Sequence, residues 1–435
     1  MKLYEKIKNR SAKVCVMGLG YVGLPLAVEK AKAGYTVLGF DVQKKKVDMV
    51  NAGINYIGDV VDEELKDLVK KGKLSATNDF DRLTECDVVT ICVPTPIDVH
   101  KVPDLTFVRN TAEEISKRMH KDMLVVLEST TYPGTTEEIL LPILERSGLK
   151  VGKDFYLAFS PERVDPGNKR FKTKNTPKVV GGVTKECTKH AKVLYENVLE
   201  APVHTVSSPK AAEMTKILEN TFRIVNIALI NEMAIVASRM GINIWEVVEA
   251  AATKPFGFMP FYPGPGVGGH CIPIDPYYLT YKAREYNWHT RLIEMAGEIN
   301  DYMPEYVVQR LQDILNEHGK PMKGSKILVL GVTYKGDVAD LRESPALKVI
   351  ENLEAKKAEV LFYDPLIESF EHLGKKYVRT DLTEDLLKMI DGVVITTAHK
   401  NGVDYQFVVD NAPFVYDTKN ITQSIDRNRD KIILL

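Results

Sequence analysis

The sequence predicts an α/β protein in which two Rossmann-like, doubly wound domains are joined by a central helical domain with one long helix. Three observations predict it: a strand–glycine turn–helix–strand unit over residues 13–41, an unbroken helical pattern over residues 209–240, and a second strand–turn–helix–strand unit that begins at residue 326. A chain of 435 residues is long enough for two or three domains. We place the domains at residues 1–205, 206–318 and 319–435.

The first unit has the order and spacing of a dinucleotide-binding turn. Gly18 allows a tight turn, Gly20 lets the backbone approach a pyrophosphate, and Gly23 lets the helix pack closely on the strand. The N-terminus of the following helix supplies N–H donors for the phosphates. Asp41 ends the second strand, where a carboxylate accepts hydrogen bonds from the ribose hydroxyls and repels a 2′-phosphate. The unit therefore predicts NAD rather than NADP.

The remainder of the N-terminal segment continues the alternation of strands and helices. Apolar runs predict further strands at residues 87–93, 123–127, 155–159 and 177–181. In a doubly wound sheet, ligands gather at the carboxyl ends of the strands. The turns that carry Thr95 and Thr130 are therefore candidates to line the nicotinamide, although simple punctuation between strand and helix is an open alternative.

The central segment begins with a helix-start signal. Ser208 is a candidate N-cap with Pro209 at the first helical position, and Gly241 is a candidate C-cap. Within this helix Lys216 and Asn220 share one face, and Glu213 lies on it as well. From spacing alone a solvated polar face is the favoured interpretation. Two more helices are predicted at residues 244–252 and 276–315.

A glycine-rich loop in the central segment ends in a cysteine. Residues 264–271 read GPGVGGHC, and Asp275 follows four positions after Cys271. So little side-chain bulk lets the backbone approach a ligand closely, and a thiol placed there can act as a nucleophile. A buried structural cysteine after a turn remains the alternative for Cys271 alone.

The segment after the linker at residues 318–324 resembles a degraded copy of the first unit. Strands are predicted at residues 326–330, 359–363 and 392–396, and a helix at residues 345–356. The turn at residues 331–336 lacks the dinucleotide spacing. We expect a second Rossmann-like domain that binds a different phosphorylated ligand; a packing domain without a ligand is the alternative.

Composition excludes several classes of function. The 58 basic and 59 acidic residues leave a net charge of −1, so nothing favours a nucleic-acid or anionic-membrane partner. We expect no membrane-spanning run and no signal core in residues 1–12. The five cysteines contain no C-x-x-C pair, so neither a disulfide framework nor a metal site is expected. These observations favour a cytoplasmic protein.

The motifs together resemble the UDP-glucose/GDP-mannose dehydrogenase family over about residues 10–420. The resemblance rests on the Gly18–Gly23 unit, on Lys216 and Asn220 within AEMTKILEN, on the glycine-rich loop with Cys271, and on the block from Gly331 to the RES of residues 342–344. It implies a two-step, four-electron oxidation of a nucleotide-sugar 6-hydroxyl to a carboxylate with two NAD. It also implies a homodimer or higher homo-oligomer, because the family's long central helix commonly packs against its mate.

The resemblance also implies roles for single residues. Cys271 corresponds to the nucleophile, Lys216 and Asn220 to the oxyanion-stabilising groups, and Asp275 to a carboxylate that transfers protons with a water. Glu162 corresponds to the group that activates the hydrolytic water, and Thr130 positions water and cofactor. The implied cofactor contacts are Gly18, Gly20, Val22, Gly23, Asp41, Lys46, Thr95, Thr130 and Arg342, and the implied substrate contacts are Glu162, Arg163, Lys216, Asn220, Phe261, Tyr262, Gly264, Gly268 and Lys335.

Departures from the UDP-glucose pattern narrow the substrate. The arginine that such enzymes carry about sixteen residues before the cysteine is replaced by a segment that begins at Lys254, and the lysine three residues after it by Ile274. The segment over residues 254–266 resembles the subgroup that acts on UDP-N-acetylhexosamines. UDP-N-acetyl-D-glucosamine is therefore the expected substrate, with UDP-N-acetyl-D-mannosamine and then UDP-glucose as alternatives.

Three rival functions remain on the sequence alone. A two-electron β-hydroxyacid dehydrogenase needs neither Cys271 nor a second Rossmann-like domain. A non-catalytic NAD-binding protein needs no reactive thiol. A hydrolase built on His270 and Cys271 is disfavoured because adjacent side chains generally point apart.

Overall fold

The computed structural model describes residues 2–58, 60–98, 100–163, 165, 168, 170–269 and 271–435. These residues form two units. The first runs to Glu219 and includes Tyr277–Trp288, and the second consists of Asn220–Pro276 and His289–Leu435. The domain boundaries near residues 205 and 318 stay a prediction, since these units are grouped by contact rather than by sequence.

The first unit is built on one eight-stranded sheet with the strand order β3-β2-β1-β4-β5-β6-β7-β8. Pairing is parallel except between β6 and β7. The first six strands thus have the order of a dinucleotide-binding sheet. The strands are β1 (Lys13–Met17), β2 (Thr36–Phe40), β3 (Leu74–Thr77), β4 (Val88–Ile91), β5 (Met123–Leu127), β6 (Phe155–Phe159), β7 (Lys178–Gly182) and β8 (Val203–Thr205).

Helices cover this sheet because its strands are apolar on both faces. In β5 every residue is buried, as expected for a central parallel strand. The first seven α-helices along the chain are α1 (Leu3–Lys8), α2 (Gly23–Lys32), α3 (Lys44–Asn51), α4 (Asp62–Lys70), α5 (Thr106–Arg118), α6 (Leu141–Leu144) and α7 (Lys185–Glu196). A short π-helix, Thr136–Leu140, leads into α6.

The second unit contains a smaller parallel sheet with the order β10-β9-β13-β14-β15 and a separate hairpin. Its strands are β9 (Lys326–Leu330), β10 (Glu359–Tyr363), β11 (Ser369–His372), β12 (Lys375–Val378), β13 (Gly392–Ile395), β14 (Val415–Asp417) and β15 (Ile432–Leu434). The predicted fold class, with two doubly wound sheets and one long helix, is confirmed. The hairpin and strands β14 and β15 were not predicted.

The remaining helices include the long one. They are α8 (Pro209–Met240), α9 (Ile244–Ala252), α10 (Asp275–Ala283), α11 (Arg291–Glu317), α12 (Pro345–Ala355), α13 (Glu384–Met389) and α14 (Tyr405–Asn411). Both bounds of α8 and α9 agree with the sequence prediction. The predicted single helix over residues 276–315 is wrong, because the chain leaves the helical conformation after α10 and Asn287 adopts a left-handed φ of 54°.

Helix α8 is long and apolar enough to cross a membrane by length and composition alone. Its most apolar window has a mean hydropathy of 1.3, and 28% of that window is buried. The expectation that no apolar run is long enough to span a membrane is therefore wrong when judged by length and composition. The exposed apolar side chains of the helix are Met214, Leu218, Phe222, Leu229, Met233, Val236 and Met240.

Candidate active site

The turn between β1 and α2 has the shape that the glycine spacing predicts. Gly18 has a φ of +92°, and a Cβ there would lie 2.6 Å from the carbonyl oxygen of Cys92. A Cβ on Gly23 would lie 1.7 Å from the carbonyl oxygen of Gly18. By contrast, nothing lies within 4 Å of a Cβ built on Gly20. The turn is thus closed on the protein side and open above Gly20, which fits the approach of a pyrophosphate.

Asp41 is anchored next to this turn. Its Oδ2 accepts a hydrogen bond from Leu19 N at 3.0 Å, and its Oδ1 accepts one from Gln43 N at 2.9 Å. The ammonium of Lys46 lies 3.6 Å from Oδ2. Val22 is exposed at the start of α2. A carboxylate held in this orientation fits the two ribose hydroxyls of NAD.

The turns after β4 and β5 contain the two threonines predicted to face the nicotinamide. Thr95 is buried, and its carbonyl oxygen accepts a hydrogen bond from the hydroxyl of Tyr278. Ser129 Oγ donates to the carbonyl oxygen of Val93 at 2.7 Å and so ties the two turns together, while Thr130 is half-buried beside it. The structure therefore places both turns at one edge of the sheet, as predicted.

Glu213 has a structural role that spacing did not reveal. Its carboxylate accepts hydrogen bonds from Gly134 N at 2.5 Å, Thr136 N at 2.9 Å and Thr136 Oγ1 at 2.7 Å. It thereby satisfies donors at the start of the helix after β5. Burial raises the pKa of Glu213 to about 7, although these donors oppose the shift.

The helix face that carries Lys216 and Asn220 is buried rather than solvated. Lys216 is 8% exposed and Asn220 is 5% exposed. Lys216 Nζ donates to the carbonyl oxygen of Glu162 at 2.8 Å. Asn220 Nδ2 donates to Oδ2 of the buried Asp275 at 2.5 Å. The interpretation of this face as a solvated one is therefore wrong, because both side chains are themselves buried and donate to acceptors within the protein.

Glu162 follows β6 and is held at both carboxylate oxygens. Oε1 accepts from Arg163 N at 2.8 Å, and Oε2 lies 3.2 Å from Lys178 Nζ. The guanidinium of Arg163 is in turn bound by Glu219, with Nη2 to Oε1 at 2.6 Å, and by the carbonyl oxygen of Pro177. Arg163 thus braces the loop.

Cys271 is the exposed cysteine of the chain, whereas Cys15, Cys86, Cys92 and Cys187 are buried. None of the five, all within the described residues, forms a disulfide. The carbonyl oxygen of Cys271 accepts a hydrogen bond from Asp275 N at 2.9 Å, at the start of α10. The alternative of a buried structural cysteine is therefore wrong for Cys271. His270 lies outside the described residues.

The glycine-rich loop before Cys271 packs too tightly for side chains. A Cβ on Gly268 would lie 2.6 Å from the carbonyl oxygen of Glu343, and one on Gly264 would lie 2.6 Å from Lys419 Nζ. Gly264 N donates to Oδ1 of the buried Asn231 at 2.9 Å. The loop is thus held by contacts within the second unit.

Two aromatic side chains lie at the start of this loop. Phe261 meets Phe222 edge to face at 5.7 Å, and Tyr262 stacks on Trp245 at 6.0 Å between ring centroids. They form an apolar wall in the second unit.

In the second Rossmann-like sheet, Asp364 occupies the position that corresponds to Asp41 in the first, but its carboxylate is covered. Asp364 directly follows β10, and its Oδ2 accepts from Val332 N at 2.8 Å, as Asp41 accepts from Leu19 N. His399 Nε2 lies 3.0 Å from the same Oδ2, and Asp364 is fully buried. The side chain that would meet a ribose is therefore covered.

The turn after β9 carries Lys335, the residue predicted to contact a pyrophosphate. Thr333 Oγ1 donates to the carbonyl oxygen of Lys335 at 3.1 Å. In the nearby block, the Arg342 guanidinium is bound by Asp340, with Nη2 to Oδ2 at 2.6 Å. The expectation that Arg342 reaches the cofactor stays a prediction.

Sequence reasoning missed Lys419, a half-buried lysine after β14. Burial lowers the pKa of Lys419, and the attraction of Asp417 opposes the shift only in part. The Asp417 carboxylate already accepts from Lys419 N, Thr422 N and Thr422 Oγ1. The ammonium is therefore directed to the glycine-rich loop. A basic residue at the carboxyl end of a parallel strand is a signal that was available.

Sequence reasoning also missed three buried ionisable side chains inside the first unit, namely Lys30, Glu128 and Lys178. A lysine that opens the otherwise apolar strand β7 was the available signal. In the described part of the chain, no cluster of three or more His, Cys, Asp or Glu side chains is arranged to hold a metal ion.

Models of three domains of one protein family match successive parts of the chain. They are the NAD binding domain of the UDP-glucose/GDP-mannose dehydrogenase family over residues 12–199, its central domain over residues 210–302, and its UDP binding domain over residues 328–424.

Individual relatives cover nearly the whole chain. A UDP-N-acetyl-D-glucosamine 6-dehydrogenase of Pseudomonas aeruginosa is 41% identical over 90% of this chain and 91% of its own. A UDP-N-acetyl-D-mannosamine dehydrogenase of Pyrococcus horikoshii is 37% identical over 89% of each chain. Among solved structures, the UDP-D-ManNAc dehydrogenase of Pyrococcus horikoshii superposes with a TM-score of 0.88 at 34% identity, covering 97% of this chain and 98% of the other.

Proposed function

We propose that this chain, which belongs to the UDP-glucose/GDP-mannose dehydrogenase family, oxidises the 6-hydroxyl of UDP-N-acetyl-D-glucosamine to the uronic acid. The family and the cofactor NAD follow from the three domain matches and from the named dehydrogenases that resemble the whole chain. The sugar and the route through Cys271 are our inference. The observation that carries it is the exposed Cys271 thiol beside a buried Asn220–Asp275 pair.

The choice of sugar is supported by the aromatic wall and by one relative. A 2-acetamido group is larger than a hydroxyl and packs against apolar surface, which Phe261 and Tyr262 supply. The relative with 41% identity is named for UDP-N-acetyl-D-glucosamine, whereas others are named for the manno epimer. UDP-N-acetyl-D-mannosamine is therefore the second candidate, and UDP-glucose the third.

The proposed chemistry explains why a thiol is needed. The first oxidation gives an aldehyde, which has no hydride to lose until a nucleophile adds to its carbon. The Cys271 thiolate adds and forms a C–S bond, so that the thiohemiacetal loses the second hydride and becomes a thioester. NAD, when bound at the turn of Gly18 and Gly23, supplies the acceptor for each hydride.

Lys216 and Asn220 stabilise charge on the C6 oxygen. Both are buried donors fixed on one helix, and a fixed donor in a dry setting costs no reorganisation when charge develops. Asp275 is held by Asn220 and takes up a proton through a water.

Hydrolysis completes the reaction. Glu162 accepts a proton from water, the water oxygen bonds to the thioester carbon, the C–S bond breaks, and Cys271 leaves as the thiolate. Arg163 holds the loop that carries Glu162. Thr130 positions the water and the cofactor.

The UDP moiety is proposed to bind in the second unit. Lys335 follows β9 and Lys419 follows β14, so both lie at carboxyl ends of parallel strands, where phosphates bind. The covered Asp364 argues against a second dinucleotide there. A cytoplasmic location and the absence of nucleic-acid and membrane partners remain predictions.

The exposed apolar stripe of α8 is proposed to pack against a second copy of this chain. Its members, which include Leu218 and Leu229, recur at intervals of three, four and seven residues, as in a helix that pairs with another. Pairing would bury the apolar window that otherwise suggests a membrane span.

A panel of UDP-sugars tests the function. NADH formation is followed with UDP-N-acetylglucosamine, UDP-N-acetylmannosamine, UDP-N-acetylgalactosamine and UDP-glucose. We expect two NADH for each UDP-N-acetylglucosamine consumed and the highest kcat/KM for that sugar. One NADH per sugar would indicate a two-electron dehydrogenase, none would indicate a non-catalytic protein, and a higher kcat/KM for the manno epimer would move the assignment to the second candidate.

A further inference from the structure

A row of alternating charges runs through the interior of the first unit and ends at Glu162. Lys178 Nζ lies 3.2 Å from Glu162 Oε2 and 2.7 Å from Glu128 Oε2. Glu128 Oε1 lies 3.4 Å from Lys30 Nζ and accepts from the Tyr195 hydroxyl at 2.6 Å. The side chains of Lys30 and Glu128 are 0% exposed, and that of Lys178 is 6% exposed. Two cations therefore face two carboxylates.

Stability alone is a weak reason for such a row. Removing charges from water is costly, and a buried ion pair is often no more stabilising than apolar side chains of similar volume. Glu128 and Lys178 nevertheless keep each other ionised, whereas burial lowers the pKa of Lys30 in spite of its attraction to Glu128. Burial disfavours the charged form of Glu128, but Lys178 and Lys30 hold its pKa below the ordinary value. Burial likewise disfavours the charged form of Lys178, but Glu128 and Glu162 hold its pKa above the ordinary value.

The row meets Glu162 at Oε2, whereas Oε1 accepts from the backbone. Arg163 N occupies Oε1, and Lys178 occupies Oε2. A cavity of about 10 Å³, close to the size of one water molecule, adjoins both side chains. Its lining is Glu162, Arg163, Thr173, Thr176, Pro177 and Lys178.

We propose that Lys178 is a positioning residue for hydrolysis: it aims the Glu162 carboxylate, and Glu128 with Lys30 fixes the position of Lys178. This inference rests on the proposed role of Glu162. Lys178 itself exchanges no proton with the substrate. The proton passes from water to Glu162 as the oxygen–carbon bond forms and the C–S bond to Cys271 breaks.

The alternative is a brace that only joins strands β5 and β7. A brace and a positioning residue predict different consequences when Lys178 is replaced. Loss of a brace lowers stability and slows all steps alike. Loss of a positioning residue slows the step after the second hydride transfer, so that the thioester accumulates.

The test compares Lys178→Met with Lys178→Arg, Glu162→Gln and the double variant Lys178→Met/Glu162→Gln. Each is mixed rapidly with UDP-N-acetylglucosamine and excess NAD, and NADH and intact protein mass are followed together. For Lys178→Met we expect a first-turnover burst of two NADH, steady turnover slower by about 10- to 100-fold, and a sugar adduct on the protein. Lys178→Arg should retain most of the turnover. The double variant should be no slower than Glu162→Gln.

Unchanged turnover of Lys178→Met without an adduct would overturn the inference, as would a double variant slowed by the product of the two single effects. If Glu162→Gln accumulates no adduct, the assignment of Glu162 is itself wrong, which is a different result. Lys192→Met, at an exposed pair with Glu196, is the matched control and should be unaffected. If Lys178→Met fails to fold, the triple variant Lys178→Met/Glu128→Gln/Lys30→Met removes the three buried charges together and should show the same adduct.

Discussion

Glu213 provides a stability prediction that can be worked from the structure. Its pKa is raised from an ordinary 4.5 to about 7 by burial. A carboxyl group with a raised pKa binds more protons in the folded chain than in the unfolded one, so the free energy of unfolding falls as pH rises from 4.5 to about 7. At about 1.4 kcal/mol per pH unit, the full loss amounts to about 3 kcal/mol.

The change that tests this is Glu213→Gln, which removes the titration. Below pH 5 the variant should be less stable by about 1 kcal/mol, because its amide NH₂ faces the N–H of Gly134 or Thr136. Towards pH 8 the difference in stability between Glu213→Gln and the natural protein should reverse or vanish, since only the natural protein then carries a buried charge at this position.

Thermal and urea unfolding of both proteins between pH 4 and 8 measures this difference in stability, in which contributions from all other groups cancel. Glu186→Gln is the matched control, because Glu186 is exposed on α7. A stability difference that does not change with pH would refute the reasoning and would show that the three donors at Glu213 outweigh its burial.

Further predictions concern the cofactor, the nucleophile, the nucleotide and assembly. Asp41→Asn should narrow the preference for NAD over NADP in kcat/KM by at least about tenfold, because it removes the charge that repels a 2′-phosphate; equal use of both by the natural protein would contradict this. Cys271→Ala should abolish production of the uronic acid while NAD and UDP-sugar still bind in calorimetry, and undiminished acid production would remove the thiol from the mechanism. Lys419→Met should raise the KM for the UDP-sugar by about 10- to 100-fold through loss of a charged hydrogen bond, with little change in affinity for NAD, and an unaltered KM would exclude Lys419 from the nucleotide contacts. Leu229→Glu should shift the protein to a smaller species in sedimentation, and an unchanged sedimentation coefficient would contradict pairing through α8.

The sequence alone determined the features that depend on neighbours along the chain. The strands Met123–Leu127 and Lys326–Leu330 were predicted with their observed bounds, because a parallel strand buried on both faces is a continuous apolar run. Helix α8 was predicted from Pro209 to Met240, because proline starts a helix readily and Gly241 ends it with a φ of +69°. The glycine spacing likewise placed the phosphate turn and the cysteine loop.

Only the tertiary structure decided which side chains are buried and what they meet. Spacing placed Glu213 on a solvated face, but its carboxylate is buried because a turn 77 to 79 residues earlier packs on it. Lys178 and Glu128 are 50 residues apart and meet because β5 and β7 flank β6 in one sheet. Asp364 follows the same local pattern as Asp41, yet it is covered by His399 from a later loop. Such partners come from remote segments, and local periodicity carries no information about them.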